Sequence, residues 1–508
     1  MPTASFYWHD YETTGVDKCR DRPAQFAGQR TTLELEPVGE PLSIYCKPAP
    51  DVLPQPAACL ITGITPQRCE REGVIETGFA ARIHEELAAP GTCGVGYNSI
   101  RFDDEFTRNL LYRNFYDPYE REWKNNNSRW DIIDLARLCY ALRPQGIEWP
   151  RREREKYAQA SALCDSRAQD ARYSDGVPSF KLGDLAAANG LAHEHAHDAL
   201  SDVQATIALA RLLRMRQPRL WNFYFALRRK QRAFELLDYA HRTPVLHVSS
   251  RYPAERGCLA MVVPLAQLPD RPNSVVVYDL AIDPAPLLEL DADEIADRLF
   301  TPQADLPEDI ARIPLKLVHA NKSPALAPLS ALKDADTARI GLDVERCQRH
   351  LQLLHNAPDL PEKLRHVFAR VRDSNEKIDQ ELAIYQGFAS DPDKRLFGEV
   401  RRASPVELAA RDFGFRDPRY TELLFRYRAR NWPQTLDADE RARWEAFRRT
   451  RLTESVPLTT LTLDQYVAEI AAARANKATT GTEQALLDQL DAWGRSIAAE
   501  LASDPVAS

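Results

Sequence analysis

Long apolar runs, paired cysteines, low-complexity tracts and a surplus of positive charge are all missing from these 508 residues. No stretch approaches the ~20 consecutive apolar residues of a membrane span, and the amino terminus has neither a basic region nor a long apolar one. The expectation is a soluble, unexported chain. The nine cysteines are scattered without a single C-x-x-C pair, which points to reduced thiols in a cytoplasm rather than a disulfide framework or a zinc site. A net charge of −8 means that any polyanionic partner has to be met by local patches. What remains is ordinary globular composition, 44% apolar and 28% charged, in a chain long enough for two to four domains.

Two basic stretches are interleaved with aromatics. One holds Arg214, Arg216, Arg219, Arg228, Arg229, Lys230 and Arg232 around Trp221, Phe223, Tyr224 and Phe225. The other holds Arg426, Tyr427, Arg428, Arg430 and Trp432, then Trp444, Arg448, Arg449 and Arg451. Up to about residue 213 the pattern is α/β, with strands expected near 5–11, 31–36, 42–46 and 93–97 and helices near 78–88, 103–115, 131–142 and 198–213. The charged segment from Arg151 to Val177 reads as an exposed loop or frayed helix. Short β-rich runs at 245–249, 259–265, 274–280 and 315–319, with an acidic helix near 287–299, predict a mixed β domain. Beyond about residue 340 the pattern is helical, and the last helix aligns Leu486, Leu490, Trp493, Ile497 and Leu501 on one face.

Three segments carry chemistry. The run Ser5–Gly15 ends in Asp10 and Glu12, which project to one side of a strand about 6–7 Å apart at the Cα level. Like charges so close need a cation, a shared proton or solvent. The second segment starts at Gly96 and reaches Asp103 at a helix start; the third gives His197 and Asp202 five apart. Taken singly, each has a plainer reading: a solvated strand end, helix capping by Asp103 and Asp104, a surface histidine.

In this order the segments resemble the three motifs of the DEDDh exonuclease superfamily. More narrowly the chain resembles the bacterial exonuclease I family, single-strand-specific 3′ to 5′ exodeoxyribonucleases. The likeness extends to His-Asp-Tyr-Glu-Thr at 9–13, Asp-Arg-Pro-Ala-Gln-Phe at 21–26, Leu-Ile-Thr-Gly-Ile-Thr-Pro-Gln at 60–67, Tyr-Arg-Asn-Phe-Tyr-Asp-Pro-Tyr at 112–119 and Tyr-Arg-Ala-Arg-Asn at 427–431. It implies a ribonuclease H-like exonuclease domain (1–215), an SH3-like mixed β domain with helical insertions (216–372) and an all-helical C-terminal domain (373–508). It also implies a bacterial, cytoplasmic monomer that acts in DNA repair and recombination and releases 5′-mononucleotides.

By resemblance, Asp10, Glu12 and Asp202 hold one Mg²⁺, Asp10 and Asp103 help to hold a second, and Mn²⁺ can substitute. Oxygen ligands without a nearby cysteine suit such hard cations. His197 is the general base, its ordinary pKa near 6.5 leaving a neutral imidazole to accept a proton. Substrate contacts carry over to Glu12, Thr13, Arg108, Tyr119, Trp123, Arg137, Lys181, Lys230, Asn273, Lys316, Asn321 and Tyr385, while Phe115 and Trp130 are expected in the core. Lys181 stands where the family usually has Arg, keeping the charge and losing the bidentate fork. The family's partner is single-stranded DNA-binding protein, whose acidic tail docks near Arg143 and Lys333; here Phe223 replaces an expected Tyr. Rival readings are an HD-type phosphohydrolase built on His9-Asp10 and His197-Asp198, an RNA-directed or proofreading nuclease, and a catalytically dead binding protein. The extra domains argue against a proofreading subunit, and the five filled catalytic positions against a dead nuclease.

Overall fold

A computed structural model describes residues 4–152, 176–192, 198–308, 310–369, 378–476 and 480–503. His197 and most of the Arg151–Val177 segment, from 153 to 175, lie outside the described residues. The chain divides into two compact units, one made of 1–128, 194–204 and 376–508, the other of 129–193 and 205–375.

The first unit opens with β1 (Ser5–Thr13), β2 (Pro23–Thr31) and β3 (Pro37–Tyr45), followed by α1 (Pro56–Thr62), α2 (Pro66–Glu72), α3 (Glu76–Ala88), β4 (Thr92–Gly96) and α4 (Asp103–Arg113). Its strands run in the order β3-β2-β1-β4, with β1 antiparallel to β2 and parallel to β4. The strand expected at 31–36 is instead the turn of the β2–β3 hairpin. Leu33-Glu34-Leu35-Glu36 has the alternation of a strand, but Thr32 Oγ1 accepts from the N–H groups of Glu34 and Glu36, and Leu35 turns at φ 72°. Such local side-chain bonds compete with sheet pairing.

The C-terminal helices of this unit share two cores with its N-terminal part. Tyr112 and Phe115 pack with Phe397, Val400, Leu408, Tyr420 and Tyr427. Leu53 and Cys59 pack with Leu452, Tyr466, Ile470, Leu487 and Leu490. In the last helix Leu487, not Leu486, is the buried residue, together with Leu490, Ile497 and Leu501.

β5 (Ser128–Asp131) and α5 (Ile132–Leu142) carry the chain into the second unit, where β6 (Arg151–Arg152) pairs with β7 (Val177–Pro178). Next come β8 (Val245–Val248), β9 (Leu259–Leu268), β10 (Arg271–Asp279), β11 (Leu315–His319) and β12 (Leu326–Pro328), forming an antiparallel sheet in the order β11-β10-β9-β8-β12. The expected acidic helix is two pieces, Ala285–Glu289 and Ala292–Phe300, because Asp291 starts a new helix with a capping box to Glu294. Trp130 is fully buried against Trp221, Tyr224 and Phe225, at 4.7, 5.4 and 5.1 Å. Part of the first basic-aromatic stretch is therefore core.

The second basic stretch is not a surface patch. Arg426, Arg428, Arg448 and Arg451 are buried and paired with carboxylates. At the centre Asp51 accepts from Arg430 (2.9 and 2.6 Å) and Arg451 (2.6 Å), and Glu381 from Arg22 (2.9 Å), Arg426 (3.2 Å) and Arg430 (2.5 Å). These guanidinium groups outweigh burial and hold both carboxyls below the usual carboxylate range. Removing one member leaves buried charge uncompensated, so Glu381→Ala should lower unfolding free energy by about 3–5 kcal/mol, read as a shift in urea midpoint. Because the folded-state values are depressed, this stability is present at neutral pH and lost as pH falls below about 4. Removing the exposed pair Arg71–Glu72 should move the midpoint little. Equal shifts for the two would refute the assignment.

Candidate active site

The pleat of β1 places Asp10 and Glu12 on one face and His9 and Tyr11 on the other. Tyr11 packs edge-on against Phe26 at 4.8 Å, within a core completed by Tyr7, Phe79, Ile83 and Leu110. β4 pairs with β1 only as far as Trp8↔Val95, and the chain then swings away through Gly96 and Asn98. A Cβ at Gly96 would lie 2.8 Å from the His9 carbonyl and 2.6 Å from Ser99 Cβ. Asn98 takes a left-handed φ of 64°. This turn brings Asp103 to β1, where its Oδ1 accepts from Tyr11 N–H at 3.1 Å, while Tyr11 Oη and Thr107 Oγ1 meet at 3.0 Å. The neighbouring Asp104 is tied to Arg121 at 2.6 Å, a buried ion pair. Only one of the two adjacent aspartates is thus left for the cluster.

The third contribution comes from the first turn of the helix Ala199–Arg216. Asp198 Oδ1 accepts from Ser201 N–H at 3.1 Å and its carbonyl from Asp202 N–H at 3.0 Å. Among the described residues, Asp10, Glu12 and Asp202 offer ligand atoms that all lie within 4.8 Å of one another. Burial, then the charges of Asp103, Glu12, Asp202 and Asp198, push the Asp10 carboxyl well up; burial, Asp202, Asp103 and Asp198 push Glu12 up to about 8. Carboxyls that resist ionisation together suit a divalent ion. The donor set is all oxygen, the kind that hard divalent cations take. Burial lowers His9 to about 4, and neither ring nitrogen has a hydrogen-bond partner among the described residues. It is a neutral core residue on the opposite face from Asp10, which removes half of the HD-type reading.

Other expected contacts are dispersed. In the first unit, Thr13 Oγ1 bonds the Gly15 carbonyl at 2.7 Å. Arg108 is buried and held by Glu122 at 2.7 and 2.9 Å and by Glu105 at 2.8 Å, with Tyr119 beneath it at 5.3 Å. The Tyr385 hydroxyl bonds both Glu105 and Arg108. Trp123 is 62% and Tyr385 59% exposed, so their rings are available for stacking, whereas Arg108 is committed to carboxylates. Phe115 is core, as expected.

In the second unit Lys181 and Lys230 are exposed at the starts of the helices Leu182–Ala188 and Lys230–Leu236. Arg137 pairs with Asp134 at 2.9 Å over the Phe180 ring. Asn273 and Asn321 lie at one end of β10–β11, where Ala320 N–H bonds the Asn273 carbonyl, and the Lys316 ammonium lies 4.8 Å over Tyr252. Arg143 meets the short helix that carries Lys333 through Ala331 (3.1 Å) and Asp334 (3.5 Å); Phe223 is half-buried on the helix Pro218–Ala226. The sequence reading used Asp198 only in the HD-type alternative and not beside Asp10 and Glu12. Its signal was present, an acidic residue four before Asp202 and hence on the same helical face.

No helix among the described residues is long and apolar enough to cross a membrane. Family models described as "Exonuclease", "Exonuclease I SH3-like domain" and "Exonuclease I C-terminal domain" match residues 7–158, 228–370 and 378–497. The order is therefore a ribonuclease H-like exonuclease domain, an SH3-like domain and a C-terminal domain. Exodeoxyribonuclease I of Escherichia coli (strain K12) is 46% identical over 446 residues, 88% of this chain and 89% of that protein. The solved exonuclease I from Methylocaldum szegediense has a TM-score of 0.89 at 51% identity, covering 97% of this chain and 99% of that one. The zinc ion bound form of an E. coli ExoI–ssDNA complex gives 0.87 at 43%, covering 98% and 100%. An ExoI/SSB-Ct complex gives 0.86 at 43%, covering 97% and 99%. Likeness of this depth, spread along nearly the whole chain, shows that the protein is a member of the exodeoxyribonuclease I family.

Proposed function

We propose that the chain removes 5′-mononucleotides from the 3′ end of single-stranded DNA, in repair and recombination within a bacterial cytoplasm. Exonucleolytic hydrolysis of DNA goes with the family itself; the choice of strand and direction is the proposal. The observation that carries it is the convergence of Asp10, Glu12 and Asp202 within 4.8 Å of one another, in a chain whose solved relative holds both ssDNA and zinc. Asp10, Glu12 and Asp202 would hold one divalent cation and Asp10 with Asp103 a second, Mg²⁺ by preference and Mn²⁺ as substitute. Such ions supply a more acidic water, neutralise charge at phosphorus and ease departure of the 3′ oxygen.

The chain's own residues do the rest. His197 takes the proton of the attacking water. Glu12 and Thr13 meet the terminal nucleotide. Trp123, Tyr119 and Tyr385 stack bases, a contribution of about 1–3 kcal/mol per base. Arg137, Lys181, Lys230, Asn273, Lys316 and Asn321 contact the sugar-phosphate backbone, whereas Arg108 acts by holding Tyr119 and Tyr385. Arg143, Lys333 and Phe223 receive the acidic tail of single-stranded DNA-binding protein, in line with the solved ExoI/SSB-Ct complex. The protein works as a monomer, with domain limits at 1–215, 216–372 and 373–508.

Purified protein incubated with 3′-labelled single strands, duplex and RNA should release mononucleotides from the single-stranded DNA alone, and only with Mg²⁺ or Mn²⁺. Equal release from duplex ends would refute the reading. His197→Ala should lower kcat by about 10²–10⁴, and Asp10→Asn by more, with oligonucleotide binding retained in a gel-shift assay. A third expectation concerns metal removal. Glu12 has a folded-state pKa raised from 4.5 to about 8, so its stabilising protonation is complete below pH 4.5 and lost as pH rises towards 8. Chelated protein should therefore melt lower at pH 8 than at pH 6, and added Mg²⁺ should raise Tm more at pH 8. A flat difference, checked by scanning fluorimetry, would speak against a metal-dependent cluster.

A further inference from the structure

Gln25 lies directly opposite Glu12 in the β1–β2 register. Opposed residues of an antiparallel pair share a face, with Cβ atoms about 4.5–5.5 Å apart. Gln25 is therefore a lateral neighbour of the carboxylates, although it belongs to none of the motifs. It is 1% exposed. Its Nε2 donates to Ser43 Oγ at 3.2 Å, from β3 on the same face, while its Oε1 has no hydrogen-bond partner among the described residues. A buried polar atom without a partner is costly and uncommon. The other unpaired side-chain groups on β1, Tyr7 Oη and the His9 ring nitrogens, point to the opposite face, away from Asp10 and Glu12.

The two ends of an amide exchange places by a half-turn about its last side-chain bond. Ser43 serves either orientation, since a hydroxyl both donates and accepts. With Nε2 turned towards β1, Gln25 donates to the Glu12 carboxylate and Oε1 accepts from the Ser43 O–H. Every polar group of the pair is then satisfied. We propose that Gln25 is a positioning residue for Glu12: its amide, braced by Ser43, fixes which carboxylate oxygen Glu12 presents to a divalent cation. Outer hydrogen bonds of this kind orient a metal ligand and tune its basicity. The inference rests on the reading of Glu12 as a metal ligand, and not on the substrate.

The test uses the full chain without DNA, titrated with Mn²⁺ and followed by calorimetry. Gln25→Met keeps length and burial while removing the amide. Mn²⁺ affinity at the site should fall about 10–100-fold, with Tm close to that of the parent. Ser43→Ala should weaken binding in the same direction and by less. In a Glu12→Gln background the Gln25→Met change should have no further effect on Mn²⁺ affinity. Should Gln25→Met fail to fold, Gln25→Asn, one methylene too short to bridge Ser43 and Glu12, is read in the same titration. Parental Mn²⁺ affinity in the folded variant, or an undiminished loss in the Glu12→Gln background, overturns the proposal. A parent that leaves single-stranded DNA intact while its Mn²⁺ affinity still depends on Gln25 overturns the proposed substrate and leaves this assignment standing.

Discussion

Like charges on one face of a β-strand stay together only when the surrounding fold is stiffer than their repulsion is strong. β1 meets that condition because it is flanked by β2 and β4 while its far face is packed with aromatic side chains. Asp10 and Glu12 cannot move apart without breaking the ladder. Asp103 accepts a bond from the main chain of that strand, and Asp202 is fixed within the first turn of its own helix. The cluster is thus preorganised for a divalent cation.

The protein solves the same electrostatic problem in the opposite way elsewhere. Asp51 and Glu381 are more deeply buried than Asp10 and Asp202, yet surrounded by guanidinium groups. In the structural set guanidinium groups draw the carboxyl pKa values down, whereas at the site burial and neighbouring carboxylates push those of Asp10 and Glu12 up. The sign of the shift separates the two roles more sharply than burial does.

The active-site strand was legible because period two is short and Asp10 and Glu12 sit within it. β2 was not, since Pro23, Gly28 and a buried Gln25 break the apolar alternation, and the strand expected at 31–36 was a turn with a strand's pattern. The arginines between 426 and 451 looked like a surface for polyanions because their partners, Asp51 and Glu381, are remote in the chain. Leu486 and Leu487 differ by one step of about 100° on a helix, a distinction that only packing settles. His197 was read from its spacing to Asp202 together with the family resemblance.

The shared cores of the first unit also set a timetable. Tyr112 and Phe115 emerge from the ribosome long before Phe397, Tyr420 and Tyr427, and Leu53 before Tyr466 and Leu487. The second unit, mostly continuous from 205 to 375, can close on itself during that interval. The strand bearing Asp10 and Glu12 is made first, but the apolar surface beside it stays uncovered until the last helices arrive. Synthesis from one end to the other therefore leaves the nuclease unfinished, its catalytic scaffold among the last parts to become rigid.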